Sequence, residues 1–251
     1  MSASEQVFEV VANHQIAAST YRLELRGNTV GLDRPGQFVN VEVPGFYLRR
    51  PLSICTVTKR DGKNDRLTLI YKVLGEGTRE MTTIEPGAHL WVLSGLGNGF
   101  WPEPDVCRPL VIGGGVGVVP LYYLVEELVA AGQKPSVILG FNSADEVFLA
   151  DEIAALGVLV TVTTVDGSRG TRGFVTDALA EYPGADYFYA CGPTPMLHAL
   201  VAVTDLPGQI SVEERMGCGF GACAGCPIDT DEGKKRVCKD GPVFTRKELQ
   251  W

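Results

Sequence analysis

The first hundred residues contain short runs in which apolar and polar positions mostly alternate. Such runs are typical of half-buried strands, and turn dipeptides such as Pro35-Gly36 and Pro86-Gly87 separate them. The runs cover residues 7–11, 21–25, 38–43, 54–58, 67–73 and 90–93. One short helix is expected over 78–84. Six strands with so little helix predict a small closed antiparallel β-barrel, which we place at residues 1–100.

Beyond residue 100 the pattern changes to apolar strands that alternate with helices. Strands are predicted at 109–112, 137–140, 158–162, 187–190 and 210–212, and helices at 119–131, 147–156, 175–180 and 195–203. This alternation predicts a parallel sheet covered on both faces, an α/β domain that we place at residues 101–210. Ligands of such sheets bind at the carboxyl ends of the strands.

Composition narrows the class of protein. The chain has 251 residues and a net charge of −8, which argues against a nucleic-acid binder because such proteins carry a basic patch. No apolar run approaches the roughly 20 residues of a membrane helix, and the first residues lack the features of a signal peptide. We therefore expect a cytoplasmic protein, in which clustered cysteines hold metal more often than they form disulfides.

Four cysteines near the C-terminus carry the strongest chemical signal. They follow the pattern Cys-x4-Cys-x2-Cys-x11-Cys, at Cys218, Cys223, Cys226 and Cys238. Thiolates suit zinc or iron–sulfur, and the first three positions match plant-type ferredoxin spacing rather than a paired Cys-x2-Cys zinc site. The glycines between them let the backbone fold tightly and aim N–H groups at sulfur. A 2Fe–2S cluster is favoured, in a C-terminal subdomain of residues 211–251.

Two motifs in the barrel suit one pyrophosphate. Arg50 stands at the entrance to a strand, where it can make a forked contact with phosphate, and Ser53 can hydrogen-bond the edge of a ring. The glycines of Gly75-Glu76-Gly77-Thr78 expose backbone N–H groups at the start of a helix, and Thr78 can serve as its N-cap. Taken singly, each motif also fits an ordinary turn.

A glycine-rich turn follows the first strand of the α/β region. Strand, turn and helix in this order place a phosphate at a helix N-terminus, although Pro120 stands where the full dinucleotide fingerprint has its third glycine. The candidate residues are Gly113, Gly114, Gly115 and Gly117. After the next strand, residues 142–146 contain two acids and no base, which favours NAD over NADP unless Arg169 or Arg172 approaches.

These motifs resemble the ferredoxin–NADP reductase superfamily. The flavin domain of that family is similar in its Arg-x-x-Ser and Gly-x-Gly-Thr motifs, and its nicotinamide segment is similar to Cys191-Gly192-Pro193 and the residues that follow. The alternative for Cys191 is a small buried side chain. The resemblance implies FAD, with binding residues Arg50, Pro51, Leu52, Ser53, Ile70, Tyr71, Lys72, Gly77 and Thr78. Most members carry tyrosine in the position of Leu52, so stacking on the flavin must come from elsewhere or be replaced by aliphatic packing.

The whole chain resembles the electron-transfer subunits of NAD-dependent (type B) dihydroorotate dehydrogenases. The resemblance is carried by Arg50-Pro51-Leu52-Ser53, by 214–223 and by 237–244. It implies a 2Fe–2S cluster bound by Cys218, Cys223, Cys226 and Cys238, with FAD and NAD as the other cofactors. It also implies an FMN-containing catalytic subunit as partner, in a heterotetramer with two copies of each, and no nucleic acid or membrane partner. Phe220 is either part of the docking patch or packing over the cluster.

Two alternatives remain open at this point. One is a flavin and iron–sulfur reductase subunit of another complex, such as an NADH-dependent ferredoxin:NADP oxidoreductase. The other is a binding module stabilised by zinc, with a degenerate nucleotide fold.

Overall fold

The N-terminal part of the computed structural model, which describes residues 3–60 and 65–251, is a closed barrel. Its strands are β1 (Ser4–Ala17), β2 (Thr20–Gly27), β3 (Phe38–Val41), β4 (Arg50–Thr58), β5 (Asp65–Lys72) and β6 (His89–Leu96). They follow one another around the barrel as β1-β2-β5-β4-β3-β6, with every recorded pairing antiparallel. The predicted six-stranded barrel is confirmed.

Helix α1 (Glu76–Met81) lies between β5 and β6 and begins earlier than the sequence predicts. Gly75 is its N-cap, so the expectation that Thr78 fills that position is wrong. Thr78 is the third helical residue, and its hydroxyl accepts hydrogen bonds from the backbone N–H groups of Leu74 and Gly75, at 3.0 and 3.1 Å. This side chain satisfies backbone donors at the helix start from inside the first turn.

The second part is a seven-stranded sheet in the order β10-β9-β8-β7-β11-β12-β15. Its strands are β7 (Pro109–Gly114), β8 (Ser136–Phe141), β9 (Leu159–Thr164), β10 (Thr171–Arg172), β11 (Tyr187–Cys191), β12 (Gly208–Ser211) and β15 (Val243–Thr245). Its helices are α2 (Val118–Ala130), α3 (Ala150–Ala154) and α4 (Thr194–Val203). The predicted helix at 175–180 is instead a 3-10 helix, Val175–Glu181. All pairings are parallel except β12 with β15.

The C-terminal segment is anchored in this sheet. A hairpin of β13 (Pro227–Thr230) and β14 (Gly233–Arg236) leads through α5 (Val237–Asp240) to β15, which lies antiparallel against β12. The sequence did not reveal this edge strand, because a three-residue run carries too little pattern to predict its pairing.

Three hydrophobic clusters organise the core. One fills the barrel, and the other two cover the two faces of the sheet. One of the sheet clusters contains Phe38 and Leu96 from the barrel together with Cys226 and Cys238. Barrel, sheet and cysteine segment therefore meet at a single junction. Within the described residues, no helix is long and apolar enough to cross a membrane.

Candidate functional site

A cavity of about 230 Å³ lies at the junction of barrel, sheet and cysteine segment. It is lined by Phe38, Pro51, Leu52, Ser53, Ile70, Tyr71, Lys72, Leu74, Thr78, Val116, Val119, Ser211, Val212, Glu213, Glu214, Met216 and Pro242. We call it the central cavity. Strands β4 and β5 form one wall, and the start of α2 and the chain after β12 form the other. Seven of the nine predicted flavin residues line it.

The walls of the central cavity are mostly aliphatic. Leu52 is 9% exposed and Ile70 is 3% exposed, and both belong to the hydrophobic core. Tyr71 turns into the barrel, where its ring lies 5.7 Å from that of Tyr21 and its hydroxyl donates to Asn13 Oδ1 at 3.1 Å. Leu52, the position where the resemblance leads one to expect a stacking tyrosine, thus contributes to an aliphatic wall. A flat apolar ring system fits such walls.

Arg50 and Gly77 lie at a second, open cavity of about 560 Å³, which shares Leu74 and Thr78 with the central one. The Arg50 guanidinium lies 5.0 Å from the centre of the Phe46 ring and donates to the Leu48 carbonyl. A Cβ at Gly77 would overlap that guanidinium in its present position, so glycine permits this close approach. The cation next to exposed backbone N–H groups suits a phosphate. The two adjoining cavities therefore suit an apolar ring system and a phosphate, respectively.

A third cavity, of about 510 Å³, lies at the carboxyl ends of the sheet strands. We call it the nucleotide cavity. It is lined by Lys72, Gly114, Gly115, Val116, Gly140, Phe141, Asn142, Glu146, Thr163, Val165, Gly173, Phe174, Val175, Thr176, Pro193, Pro195, Met196 and Ala199. Since it shares Lys72 and Val116 with the central cavity, the two cavities adjoin directly.

The glycines of the turn after β7 have different roles. Gly115 has a φ of +52° and open space around its Cβ position, so it presents bare backbone to the nucleotide cavity. A Cβ on Gly113 would come within 2.9 Å of the Val118 side chain. Gly117 packs so closely on the Cys191 backbone that a Cβ would overlap its carbonyl group. Gly113 and Gly117 are thus explained by close packing behind the cavity wall.

Of the predicted nicotinamide segment, Pro193, Pro195 and Met196 border the nucleotide cavity, whereas Cys191 and Gly192 are not among its lining residues. Gly192 lies against Met196, which does line the cavity. Cys191 is 1% exposed, and its burial raises the pKa of the thiol above the ordinary value. Cys191 therefore stays protonated and supports the turn at Gly117 through its backbone.

Lys72 joins the barrel to the nucleotide cavity. Its Nζ lies 2.8 Å from Glu146 Oε1, and Asn142 donates to the other oxygen of Glu146 at 2.9 Å. The hydrogen bond from Lys72 holds the pKa of Glu146 below its ordinary value. Arg169 instead pairs with Asp151 at 2.9 Å. Neither Arg169 nor Arg172 is among the residues that line the cavity, and Lys72 is paired with Glu146. The cavity therefore suits the hydroxyl of a ribose better than a 2′-phosphate, which needs an unpaired cation.

Sequence reasoning missed the part of the central cavity that follows β12. Ser211, Val212, Glu213, Glu214 and Met216 all line it. The rule that ligands gather at strand ends was the available signal, because β12 ends at Ser211.

The four cysteines of the C-terminal segment lie in two pairs. Cys223 donates its backbone N–H to Cys218 Sγ, and Cys238 donates its own to Cys226 Sγ, each at 3.4 Å. Cys226 and Cys238 are each 2% exposed, whereas Cys223 is exposed. All four are free thiols. One pair therefore faces the core and the other lies toward the surface.

The pKa values of the thiols differ with this placement. Desolvation acts to raise the pKa of Cys218, but hydrogen bonds from the backbone N–H groups of Cys223, Phe220 and Ala222 outweigh it and lower that pKa to about 6. Burial, together with the neighbouring Cys226, raises the pKa of Cys238 to about 12. Backbone donors aimed at a sulfur are what a thiolate ligand requires.

Two pairs of thiols suit a core of two irons, each bound by two sulfurs. In residues 3–60 and 65–251, no three His, Cys, Asp or Glu side chains are placed to hold one metal ion together. A single tetrahedral zinc would need all four sulfurs to converge on one point. The donor set and its division into pairs therefore fit a 2Fe–2S cluster better than zinc.

The cysteine loop, residues 216–226, packs directly on the barrel. Asn40 of β3 donates to the Cys218 carbonyl at 3.2 Å. A Cβ at Gly219, whose φ is +78°, would overlap the Asn40 amide. On the other side of the loop, Arg236 donates to the Gly221 carbonyl at 2.9 Å. These contacts fix the loop beside the central cavity, which Met216 lines.

Comparison with known proteins shows what this arrangement is similar to. Residues 213–250 match the model of the iron–sulfur cluster binding domain of dihydroorotate dehydrogenase B, and residues 111–202 match that of the oxidoreductase NAD-binding domain. The dihydroorotate dehydrogenase B (NAD(+)) electron transfer subunit of Fusobacterium nucleatum is 42% identical over 96% of both chains. The Bacillus caldolyticus protein of the same name is 44% identical, again over 96% of both chains.

Solved structures agree on the fold. A chain from an NADH-dependent reduced ferredoxin–NADP oxidoreductase, studied for flavin-based electron bifurcation, matches with a TM-score of 0.87 and 30% identity. The match covers 97% of this chain and 90% of that one. An Amycolatopsis cytochrome P450 reductase shares the fold at a TM-score of 0.69 and 24% identity, over 80% of this chain and 65% of its own. With relatives above 40% identity along nearly its whole length, the chain belongs to the family of dihydroorotate dehydrogenase B (NAD(+)) electron transfer subunits.

Proposed function

We propose that this chain passes electrons between an FMN-containing dihydroorotate dehydrogenase subunit and NAD+, as a step of pyrimidine biosynthesis. The observation that carries the proposal is the continuity of three sites. The cysteine loop adjoins the central cavity through Met216, and the central cavity shares Lys72 and Val116 with the nucleotide cavity. When bound, a 2Fe–2S cluster carries single electrons, FAD exchanges single electrons for pairs, and NAD+ accepts a pair as hydride.

The chain's own residues supply binding, orientation and exclusion of water. Leu52 and Ile70 give the ring site a dry wall, and Ser53 offers a hydroxyl to the ring edge. Arg50 holds a phosphate beside Gly77. In the nucleotide cavity, Gly115 lets a pyrophosphate approach the backbone, and Pro193 and Met196 border the nicotinamide side.

The four cysteines hold the cluster as two pairs that differ in their exposure to solvent. The buried pair, Cys226 and Cys238, fixes the cluster to the core, while the exposed Cys223 leaves one edge open toward a partner. The three described cavities all suit cofactors, so dihydroorotate is bound by the partner subunit. We expect a heterotetramer with two copies of each subunit, located in the cytoplasm, where the free thiols stay reduced.

Purification with native partners tests the proposal. The chain should be recovered with an FMN protein whose flavin is reduced by dihydroorotate, and its visible spectrum should show flavin and iron–sulfur absorption. A colourless protein with stoichiometric zinc would overturn the redox assignment. Recovery with a glutamate-synthase-like flavoprotein would instead support the reading as a subunit of an NADH-dependent ferredoxin:NADP oxidoreductase.

A further inference from the structure

We propose that the docking surface for the catalytic subunit extends from the cysteine loop onto the outer face of β1 and β6, with Trp91 as its aromatic anchor. The inference rests on the proposed function for the identity of the partner. The surface itself is argued from strand register, exposure and charge.

Trp91 and Val7 form an exposed apolar pair on the barrel. They are direct partners in the antiparallel pairing of β1 with β6, so their side chains lie side by side on the same face. Trp91 is 49% exposed and Val7 is 41% exposed. Isolated apolar residues on a surface are common, but a half-exposed tryptophan beside a second apolar side chain is typical of interfaces.

This pair continues the surface that carries the cysteine loop. Asn40, which holds the loop at Cys218, is opposite Leu93 across β3 and β6. Trp91 is two residues from Leu93 on the same strand, which places it about 7 Å along the same outer face. The loop packs on Asn40 of this row, and in the next row Trp91 is half-exposed. Phe220, which is 48% exposed, lies on the loop next to Gly219, the residue packed on Asn40.

Charged residues surround the apolar pair in the way that a polar rim surrounds an interface. Arg49 forms ion pairs with Glu5 and Glu42. Glu42 donates its backbone N–H to the Trp91 carbonyl at 2.9 Å, and Glu5 pairs with Leu93 across β1 and β6. An apolar centre with an aromatic residue and a charged rim is the usual composition of a protein interface.

The occupant that fits this position is the catalytic subunit. Any partner that exchanges electrons with the cluster must cover the exposed edge at Cys223 and Phe220. A stable interface buries about 800 Å² and roughly 20–30 residues on each partner, more than the loop of residues 216–226 contains, so the partner must also cover adjoining surface. The row of Trp91 and Val7 adjoins the loop and is apolar, and we assign it to the same partner.

The test measures affinity of the chain, loaded with flavin and cluster, for the FMN-containing catalytic subunit. Trp91→Ser should raise the Kd by about 30-fold, the size of effect expected for an aromatic anchor, and Val7→Lys should raise it by a smaller factor. Leu159→Ser is the matched control, because Leu159 is 64% exposed on the first residue of β9, away from the cysteine loop. NADH-to-dye activity, cluster absorption and thermal stability should be unchanged in all three variants.

The outcomes separate this inference from the proposed function. If the unmodified chain fails to bind the catalytic subunit, the proposed function is overturned. If it binds and both Trp91→Ser and Val7→Lys bind equally well, only the extended surface is overturned. A result in which Trp91→Ser dissociates a dimer of this chain while leaving the Kd for the partner unchanged would assign the patch to a second copy and also refute the inference.

Discussion

The cysteine segment and the nucleotide cavity are built in opposite ways. The segment takes all four ligands from residues 218–238, and the loop that carries three of them is shaped by local glycines such as Gly219 and Gly221. The nucleotide cavity takes its walls from positions as far apart as Lys72 and Ala199. One site is a short stretch of sequence, and the other exists only where several strands end together.

This difference in construction predicts how each site responds to the substitution of one residue. A ligand supplied by one sulfur has no substitute nearby, so losing it should remove the cluster. A cavity with many wall residues distributes its binding energy, so a single change there should weaken binding without abolishing it. Four predictions follow in order of decreasing effect: the first three test this contrast, and the fourth tests the packing between the barrel and the sheet.

The largest effect is expected for Cys226→Ser. Because Cys226 is buried and paired with Cys238, serine should abolish cluster binding and with it the reduction of NAD+ by dihydroorotate in the assembled enzyme. NADH-to-dye activity should persist, because Cys226 does not line the central cavity, where we propose that the flavin binds. Electron paramagnetic resonance of the reduced protein and a dye assay measure the two properties.

Cys107→Ser is the control, because Cys107 is exposed and lies outside the cysteine segment. It should keep both the cluster signal and the dye activity. A cluster signal that survives in Cys226→Ser would contradict the assignment of this residue as a ligand.

Arg50→Ala should weaken FAD binding by about 30-fold, since a hydrogen bond to a charged group contributes about 2 kcal/mol. The release of flavin on dialysis, followed by fluorescence, measures it. Arg26→Ala is the control, because Arg26 pairs with Glu9 and lines neither the central cavity nor the open cavity at Arg50. Equal flavin retention in the two variants would remove Arg50 from the phosphate site.

Phe174→Ser should raise the KM for NADH by about 10-fold, with little change in kcat, because an aromatic ring stacked on a base contributes about 1–3 kcal/mol. Phe174 lines the nucleotide cavity and is 63% exposed. The dye assay measures both constants. Leu159→Ser controls for loss of exposed apolar area, since Leu159 is 64% exposed and does not line the cavity. A change in kcat alone would contradict a role in binding.

The smallest effect is expected for Glu126→Gln on α2, which packs the sheet domain against the barrel. Burial raises the pKa of Glu126 above its ordinary value, and Thr56 donates to its carboxylate at 2.6 Å. Because the pKa is raised, the folded state disfavours the ionised carboxylate. The free energy of unfolding therefore falls as the pH rises above 4.5, the ordinary pKa of this group. The glutamine variant should therefore gain about 1–2 °C in Tm near pH 7.

Thermal melts at pH 5 and pH 8 check the sign of this effect. The gain of Glu126→Gln over the unmodified chain should be larger at pH 8. Glu85→Gln, at an exposed position outside α2, is the control for the substitution itself. A gain that is larger at pH 5 would contradict burial as the cause of the shift.

Local patterns predicted much of this molecule. Alternating runs predicted six barrel strands, because one face of each strand packs into the barrel and the other meets solvent. The spacing of the cysteines also predicts a set of four cluster ligands, and Arg50 with Ser53 predicts a flavin site; these two residue assignments stay predictions. Edge strand β15 was not predicted, because its pairing with β12 depends on where the C-terminal segment returns to the sheet.

The sequence by itself therefore determined the chemistry of single elements. It placed four thiols at the spacing of an iron–sulfur cluster, the cation of Arg50 at the start of a strand, and glycines without side chains in the turn after β7. Each depends on residues close together in the chain. Only the tertiary structure decided that the chain after β12 completes the central cavity and that Lys72 joins two cavities. It also decided that one pair of thiols is buried while the other lies toward the surface. Those features arise from packing between distant segments, and no local pattern encodes which distant segments will meet.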